Sequence, residues 1–307
     1  MGKPRICVIG ASNLDLISYV PRLPGVGETL HGSRFHMGFG GKGANQAVMA
    51  ARLGAEVTMI TKLGRDVFGE NTLKNFQAQG VDCQHVYFTD QAFSGVAPIA
   101  VDPEGRNSII IVTGANDLLT AAEVESARSQ IASSGVLVCQ LEIPLAASLQ
   151  ALRIAREEGV RTIFNPAPAR CDLPAEAYSL SDIFCPNESE TEILTGLPVK
   201  GPRQAEAAAK VLLARGARAV VLTLGERGSL LATTERVLHV DAPRVKALDT
   251  TGAGDAFVGS LAFFLARGLD LEEAMRRAVR IASLSVQASG TQSSFPRAAE
   301  LPATLLS

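Results

Sequence analysis

Asp255 closes the segment Asp249-Thr250-Thr251-Gly252-Ala253-Gly254-Asp255 and opens AFVGSLAFFLARG, a run that is apolar nearly all round. Such a run predicts a buried helix beginning near Asp255. A helix start exposes unpaired N–H groups and the positive end of the dipole, and glycines let an anion approach the backbone closely. The segment therefore offers a seat for a phosphate, or for charge developing on an oxyanion. A carboxylate at its mouth can take the proton from an attacking hydroxyl. Asp255 equally suits a plain N-cap, for which Asp is a preferred residue. The segment alone leaves both roles open.

Gly38-Phe39-Gly40-Gly41-Lys42-Gly43 spells G-x-G-x-x-G, the letters of a dinucleotide fingerprint. That fingerprint must follow a core strand and open a helix inside a βαβ unit. The segment preceding it here is hairpin-like, so the match is accidental. A Walker A loop is also absent, because Gly43 follows Lys42. What the segment supplies is a flexible hinge with Lys42 at its tip and a helix start beyond.

Polar side chains also gather where strands should end. Short apolar runs predict strands over Ile6–Ile9, Val57–Thr61, Val136–Leu141, Thr162–Phe164, Ile183–Cys185 and Val220–Leu222. Five of them lead into Asn13 and Asp15, Glu142, Asn165, Asn187, and Thr223 with a Gly-rich turn. Ligands of open α/β sheets bind outside the carboxyl ends of the strands. Carboxylates and carboxamides suit a polyhydroxylated ligand there. Turn and cap chemistry accounts for any one of these residues; the set of five points to a site.

The elements that must hold these residues alternate between strand and helix. Helices are expected from about Ala44 to Leu53, Ala146 to Glu158 and Arg203 to Arg215. Another is expected over Leu271–Ala282, where Glu272/Arg276 and Glu273/Arg277 form i,i+4 pairs. The alternation predicts an α/β fold with a doubly wound, mostly parallel sheet and helices on both faces. Residues 13–40 and 93–112 break the rhythm. Asp102-Pro103-Glu104-Gly105 makes a turn between Val96–Val101 and Ser108–Val112. These pieces are expected to form a small β-sheet lid over a core of residues 1–12, 41–92 and 113–307.

With 307 residues, one large α/β domain or two domains fit. The 29 Lys and Arg against 31 Asp and Glu give a net charge of −2, which argues against a nucleic-acid binder. Absence of Trp and only three Tyr remove base-stacking platforms. No apolar run has the length of a membrane span, and Ile6–Ile9 is too short for a signal peptide. The odd count of five cysteines, without a CxxC, fits reduced thiols in a cytoplasmic protein. The four histidines have no metal-ligand spacing, so zinc is not expected.

Asp249–Asp255 (DTTGAGD) and Gly40–Gln46 (GGKGANQ) resemble the two signature regions of the ribokinase family of sugar kinases, of the phosphofructokinase-B type. Asn165–Ala169, Pro186–Glu190, Thr223–Gly225 and Gly290–Ser294 resemble further segments of that family, so the likeness spans the chain. The resemblance implies a ribokinase-like core of about nine strands with a β-sheet lid, paired in a homodimer through the lids. It implies transfer of phosphate from ATP, with Mg²⁺, to the 5-hydroxyl of ribose. Asp255 would be the general base, with Gly252, Ala253 and Gly254 as the anion hole. Asn13, Asp15, Gly41, Lys42, Asn45 and Glu142 would hold the sugar, with Ala97 and Ile99 contributed by the lid. Asn187, Thr223, Leu224, Gly225, Glu226, Arg227, Gly228, Gly254 and Val279 would serve the nucleotide. Asn187 and Glu190 would organise magnesium through water. An activating K⁺ would sit at Asp249, Thr251, Ser285, Ala288, Gly290 and Ser294.

The choice of sugar divides two signals. Pro98, within Ser94–Ile99, resembles the lid of some 2-deoxyribose kinases, whereas an amide at Asn13 suits a hydroxyl near C2. A site built to bond a hydroxyl rejects the analogue lacking it, so Asn13 favours ribose. Replacing Asn13→Met is expected to shift preference toward 2-deoxyribose. The check is the ratio of kcat/KM for the two sugars, and an unchanged ratio would contradict this reading.

Overall fold

β1 (Arg5–Ile9) is buried on both faces: Ile6 and Val8 pack into one apolar core, Cys7 and Ile9 into another. That two-sided burial is the mark of a central strand in a parallel sheet covered by helices. The computed structural model describes residues 2–306; Met1 and Ser307, the outer limits of the expected core, lie outside the described residues.

The other strands are β2 (Asn13–Tyr19), β3 (Arg34–Gly40), β4 (Glu56–Gly64), β5 (Asp82–Thr89), β6 (Gly95–Val101) and β7 (Asn107–Ile109). They continue with β8 (Val136–Cys139), β9 (Arg161–Phe164), β10 (Ile183–Phe184), β11 (Ala219–Thr223), β12 (Ser229–Ala232) and β13 (Val237–Val240). A nine-stranded sheet runs β13-β12-β11-β10-β9-β8-β1-β4-β5. Its strands are parallel from β11 to β5, and β12 and β13 are antiparallel. After β1 the chain passes through β2 and β3 to β4 on one side, and only later reaches β8 on the other. The strand order therefore reverses at β1, where open α/β sheets form their ligand crevice.

All six expected core strands are present, and three more complete the sheet. β5 escaped the sequence pattern because this edge strand buries only His85, Val86 and Thr89. β12 and β13 have four residues each, too few to show a period. The helix Val67–Ala78 was also unanticipated, because it buries just Gly69, Thr72 and Phe76. The expected helices lie at Lys42–Arg52, Leu145–Glu157, Pro202–Ala214, Ala253–Ala266 and Leu271–Ser285, within a few residues of their predicted limits. Both i,i+4 pairs on the last of them form.

The four-stranded second sheet has the order β3-β2-β6-β7. The turn after β6 closes as its sequence suggests. Asp102 accepts the N–H groups of Glu104 and Arg106, and Gly105 takes φ 78°. Alternation along β2 and β6 puts Asn13, Asp15, Ala97 and Ile99 on one face. Pro98 is exposed on the opposite face, beside Leu16. The Pro98 signal therefore bears on the outside of this sheet and not on the residues that face a ligand.

The Lys42–Arg52 and Ala253–Ala266 helices pack in direct contact, and Gly259 lets them do so. A Cβ at Gly259 would stand 2.6 Å from the Gln46 carbonyl oxygen and 2.8 Å from Met49 Cβ. Gly259 lies one helical turn beyond Asp255, so this contact draws the Asp255 carboxylate onto the first helix. Gly259→Val is expected to push the helices apart and to lower stability by about 1–3 kcal/mol, the usual cost of overpacking. Urea unfolding midpoints at constant m-value check this, and an unchanged midpoint would contradict it.

Candidate active site

Asp255 is 8% exposed, and both of its carboxylate oxygens are held. Oδ2 accepts from Asn45 Nδ2 and Oδ1 from Gln46 Nε2, each at 2.9 Å. The two amides are themselves fixed. Gln46 Oε1 accepts from Gln140 Nε2 at 2.5 Å, and Asn45 Oδ1 accepts from Gln292 Nε2 at 3.1 Å. Gln46 also donates to Asn165 Oδ1, whose Nδ2 bonds the Cys185 carbonyl. Gly252 is the N-cap of the Ala253–Ala266 helix at φ 77°, and its missing Cβ would stand 2.6 Å from Thr291 Cγ2. Asp255 is thus not the N-cap. It sits in the first turn with its side chain turned to the neighbouring helix.

Among the described residues, the N–H groups of Gly252, Gly254 and Asp255 find no acceptor. Ala253 differs, since its N–H meets the Thr250 carbonyl at a long 3.2 Å. The bare amides and the Asp255 carboxylate open on a cavity of about 170 Å³. Lys42, Asn187, Glu190, Thr223, Ala253 and Gly254 line it, together with Asn165, Ala167, Cys185, Thr250 and Val258.

Charge in this region is concentrated and incompletely paired. Glu142 accepts the backbone N–H of Lys42 at 2.8 Å and so caps a helix whose own N-cap, Gly41, has no side chain to do it. Gly41 is required there: it has φ 86°, and a Cβ would stand 2.7 Å from the Ala11 carbonyl oxygen. Burial would pull the Lys42 pKa down, but Asp255, Glu142 and Glu190 outweigh it and hold it above its ordinary value. Lys42 Nζ makes no salt bridge among the described residues, so its charge is available to a ligand. Burial raises Glu142 and Glu190 above the usual carboxylate range. Asp15 rises to about 6, mainly through burial, then through Glu142 and Asp255.

Two further groups flank the cavity. Asn187 and Glu190 form a capping box at the helix Glu188–Thr195, and both Glu190 oxygens face Asn187. Beyond Thr223, Gly225 and Gly228 take positive φ, and a Cβ at Gly228 would stand 1.9 Å from the Val240 carbonyl oxygen. Leu224 and Val279 are buried, Glu226 is exposed, and Arg227 is paired with Glu188. Their side chains do not enter the cavity. On the other flank, Asp249 accepts the N–H of Thr251 at 2.9 Å and of Gly290 at 2.8 Å, tying two loops together. Burial would raise Asp249, but these hydrogen bonds hold it below the ordinary carboxylate range. The carbonyl oxygens of Thr251, Ala288, Gly290 and Ser294 accept no backbone or side-chain hydrogen bond among the described residues. Ser285 and Ser294 lie buried beside them.

Sequence reasoning passed over Gln46, Gln140, Gln292 and Asn116. Each is a nearly or fully buried amide bonded to a residue far away in the chain. One usable signal was present: Asn45-Gln46 interrupts an otherwise apolar stretch of the first helix.

Residues 3–298 match the family profile described as pfkB family carbohydrate kinase. A mouse protein (Mus musculus) named ribokinase is 49% identical over 98% of this chain and 94% of its own length. A Salmonella typhi protein named deoxyribokinase is 42% identical over 95% of each. The structure of Arabidopsis thaliana ribokinase complexed with ribose and ATP superposes with a TM-score of 0.90 at 30% identity. That likeness covers 100% of this chain and 99% of the other.

The Asp15 environment has a consequence for stability. Its folded pKa of about 6 lies above the ordinary 3.8 of an aspartate in the unfolded chain. Between these values the native state binds a proton that the unfolded chain releases, so stability falls as pH rises through that window. Above about 6 the whole penalty is present. Asp15→Asn is expected to stabilise the protein at pH 7 by about 2 kcal/mol and to flatten its stability between pH 4 and 6. Denaturant unfolding across that range checks this, and no gain at pH 7 would contradict it.

Proposed function

The chain belongs to the pfkB family of carbohydrate kinases, and from that premise we propose that it transfers the γ-phosphate of ATP to the 5-hydroxyl of D-ribose, giving ribose 5-phosphate and ADP. The observation that carries this reading is the Asp255 carboxylate, held by two amides, beside the bare N–H groups of Gly252 and Gly254. Phosphoryl transfer asks a protein chiefly for positioning and charge neutralisation. Asp255 takes the proton of the sugar hydroxyl as it attacks. The helix N-terminus and Lys42 stabilise the charge on the migrating group. Asn13, Asp15, Gly41, Asn45 and Glu142 hold the remaining hydroxyls against Ala97 and Ile99.

The nucleotide lies along Asn187, Thr223 and the Gly225–Gly228 turn, met by backbone rather than by the side chains of Leu224, Glu226 or Arg227. Asn187 and Glu190 present hard oxygen donors at the cavity, which fits Mg²⁺ held through water. When bound, Mg²⁺ neutralises phosphate charge. The free carbonyls of Thr251, Ala288, Gly290 and Ser294, with the Asp249 carboxylate and Ser285, make an all-oxygen set that suits K⁺. The role of K⁺ would be to order the loop that carries Gly252–Gly254.

The small sheet serves as a lid that excludes water, and through it two copies pair. Its outer face supports this: Phe35 and Met37 are exposed there, sharing a face with Leu16 and Pro98. Ile109, Ile110, Ile111 and Val112 are exposed nearby. An apolar patch of this kind marks an interface. The five free cysteines suit a reducing compartment, which supports a cytoplasmic location.

Asp255→Asn is expected to keep the fold and the amide contacts on one oxygen while lowering turnover at least ~10²-fold. ADP release with ribose as acceptor measures it, and near-normal turnover would overturn the assignment. Running ribose, 2-deoxyribose, fructose and adenosine side by side tests the substrate, which this reading expects to be ribose.

A further inference from the structure

Asn116 is fully buried in the short helix Gly114–Leu118; neither it nor Asn13 lines the cavity beside Asp255, and Asn13 instead lies on the small sheet's face that carries Asp15, Ala97 and Ile99. Its carboxamide orientation is unambiguous. Oδ1 accepts the backbone N–H of Ser12 at 2.9 Å, a group that can only donate. The amide nitrogen must then be Nδ2, and it donates to the Thr113 carbonyl at 2.9 Å and to Asn13 Oδ1 at 2.8 Å, with the Ser12 carbonyl at 3.2 Å.

This fixes the neighbour in turn. Asn13 Oδ1 faces an obligate donor, so a flipped Asn13 would set two NH₂ groups against each other. Asn13 is 5% exposed, and its own Nδ2 makes no hydrogen bond among the described residues. Gly95 closes the pair from the adjacent strand. A Cβ there would stand 2.1 Å from Asn13 Oδ1 and 2.3 Å from Asn116 Nδ2, so only glycine leaves the pair intact. Asn13 shares its face of β2 with Asp15, and its unpartnered NH₂ is the group left for a ligand.

We propose that Asn116 is the positioning residue that makes the pocket selective for a sugar carrying a hydroxyl oxygen opposite Asn13. It does so by turning Asn13 Nδ2 toward the sugar as a fixed donor. A buried donor with a ligand acceptor is satisfied, whereas the same donor facing a C–H is left unpaired. The proposal rests on the sugar-kinase reading above. Within that reading it names the C2 hydroxyl as the group sensed and Asn116, rather than Asn13 alone, as the residue that sets the sense of recognition.

The test is the ratio of kcat/KM for ribose to that for 2-deoxyribose, measured in the wild-type protein, Asn116→Ala and the isosteric Asn116→Asp. In Asn116→Ala the Asn13 amide is free to rotate. In Asn116→Asp a carboxylate draws the Asn13 amino group away from the sugar. Both are expected to lower the ratio about tenfold, the worth of roughly one hydrogen bond. The loss falls mainly on KM for ribose, while 2-deoxyribose turnover changes less than about threefold. A purely structural role would lower both sugars together and leave the ratio alone. Folding is verified by circular dichroism and melting. Should neither variant fold, Gly95→Ala carries the test: its methyl group wedges between Asn13 Oδ1 and Asn116 Nδ2 and breaks the pair while leaving both amides in place, and the same fall is expected. A ratio within twofold of wild type in a folded variant overturns the proposal. Failure of the underlying reading looks different, because the wild-type protein would then phosphorylate neither sugar or would prefer 2-deoxyribose.

Discussion

The hydrogen bonds from Asn45 and Gln46 to Asp255 join segments 210 and 209 residues apart in the chain. They form where the Lys42–Arg52 and Ala253–Ala266 helices touch, and a side chain at position 259 would force those helices apart. The close crossing of Gly43 over Gly10 seats the first helix on the end of β1 in the same way; a Cβ at Gly43 would stand 2.6 Å from Gly10 Cα. Packing of small residues is thus converted into the aim of one carboxylate. The amides that aim it are locked by Gln140 and Gln292, so the carboxylate has little freedom to reorient.

The electrostatics follow from the same convergence. Glu142, Glu190 and Asp255 act on a single Lys42, Asp15 feels Glu142 and Asp255, and burial disfavours charge on Asp15, Glu142 and Glu190. Such crowding costs stability. Under the proposed function, a polyhydroxylated sugar would supply donors to these carboxylates, and the bare helix N-terminus and Lys42 would meet the phosphates. The overall charge of −2 would repel ATP, so attraction has to be local. Under the proposed function, the three unpartnered N–H groups and Lys42, which share one cavity, would provide it.

Much of this was legible in the sequence, and the exceptions have physical reasons. The Gly-rich segment before an apolar helix pointed to a helix start at Asp255, and three of the polar residues after strands, Asn165, Asn187 and Thr223, line the cavity. The alternation of strands and helices announced the main sheet. Strands β5, β12 and β13 were missed because partial burial at the β5 edge, and shortness in β12 and β13, erase their period. Gln46, Gln140, Gln292 and Asn116 were missed because their partners are distant in sequence. Pro98 lies between Ala97 and Ile99, so the two-residue period of a strand turns it outward, away from the face that carries Asn13 and Asp15. That outward turn was readable from the alternation itself.

The central claim concerns where a sugar alcohol and a phosphate meet the chain. A crystal structure of the protein with ribose and a non-hydrolysable ATP analogue tests it directly. The account predicts the terminal hydroxyl oxygen of the pentose within about 2.6–3.2 Å of an Asp255 carboxylate oxygen, with the γ-phosphate on the N–H groups of Gly252 and Gly254. A sugar whose terminal oxygen lies beyond reach of Asp255, or a γ-phosphate bound away from that helix start, would contradict it.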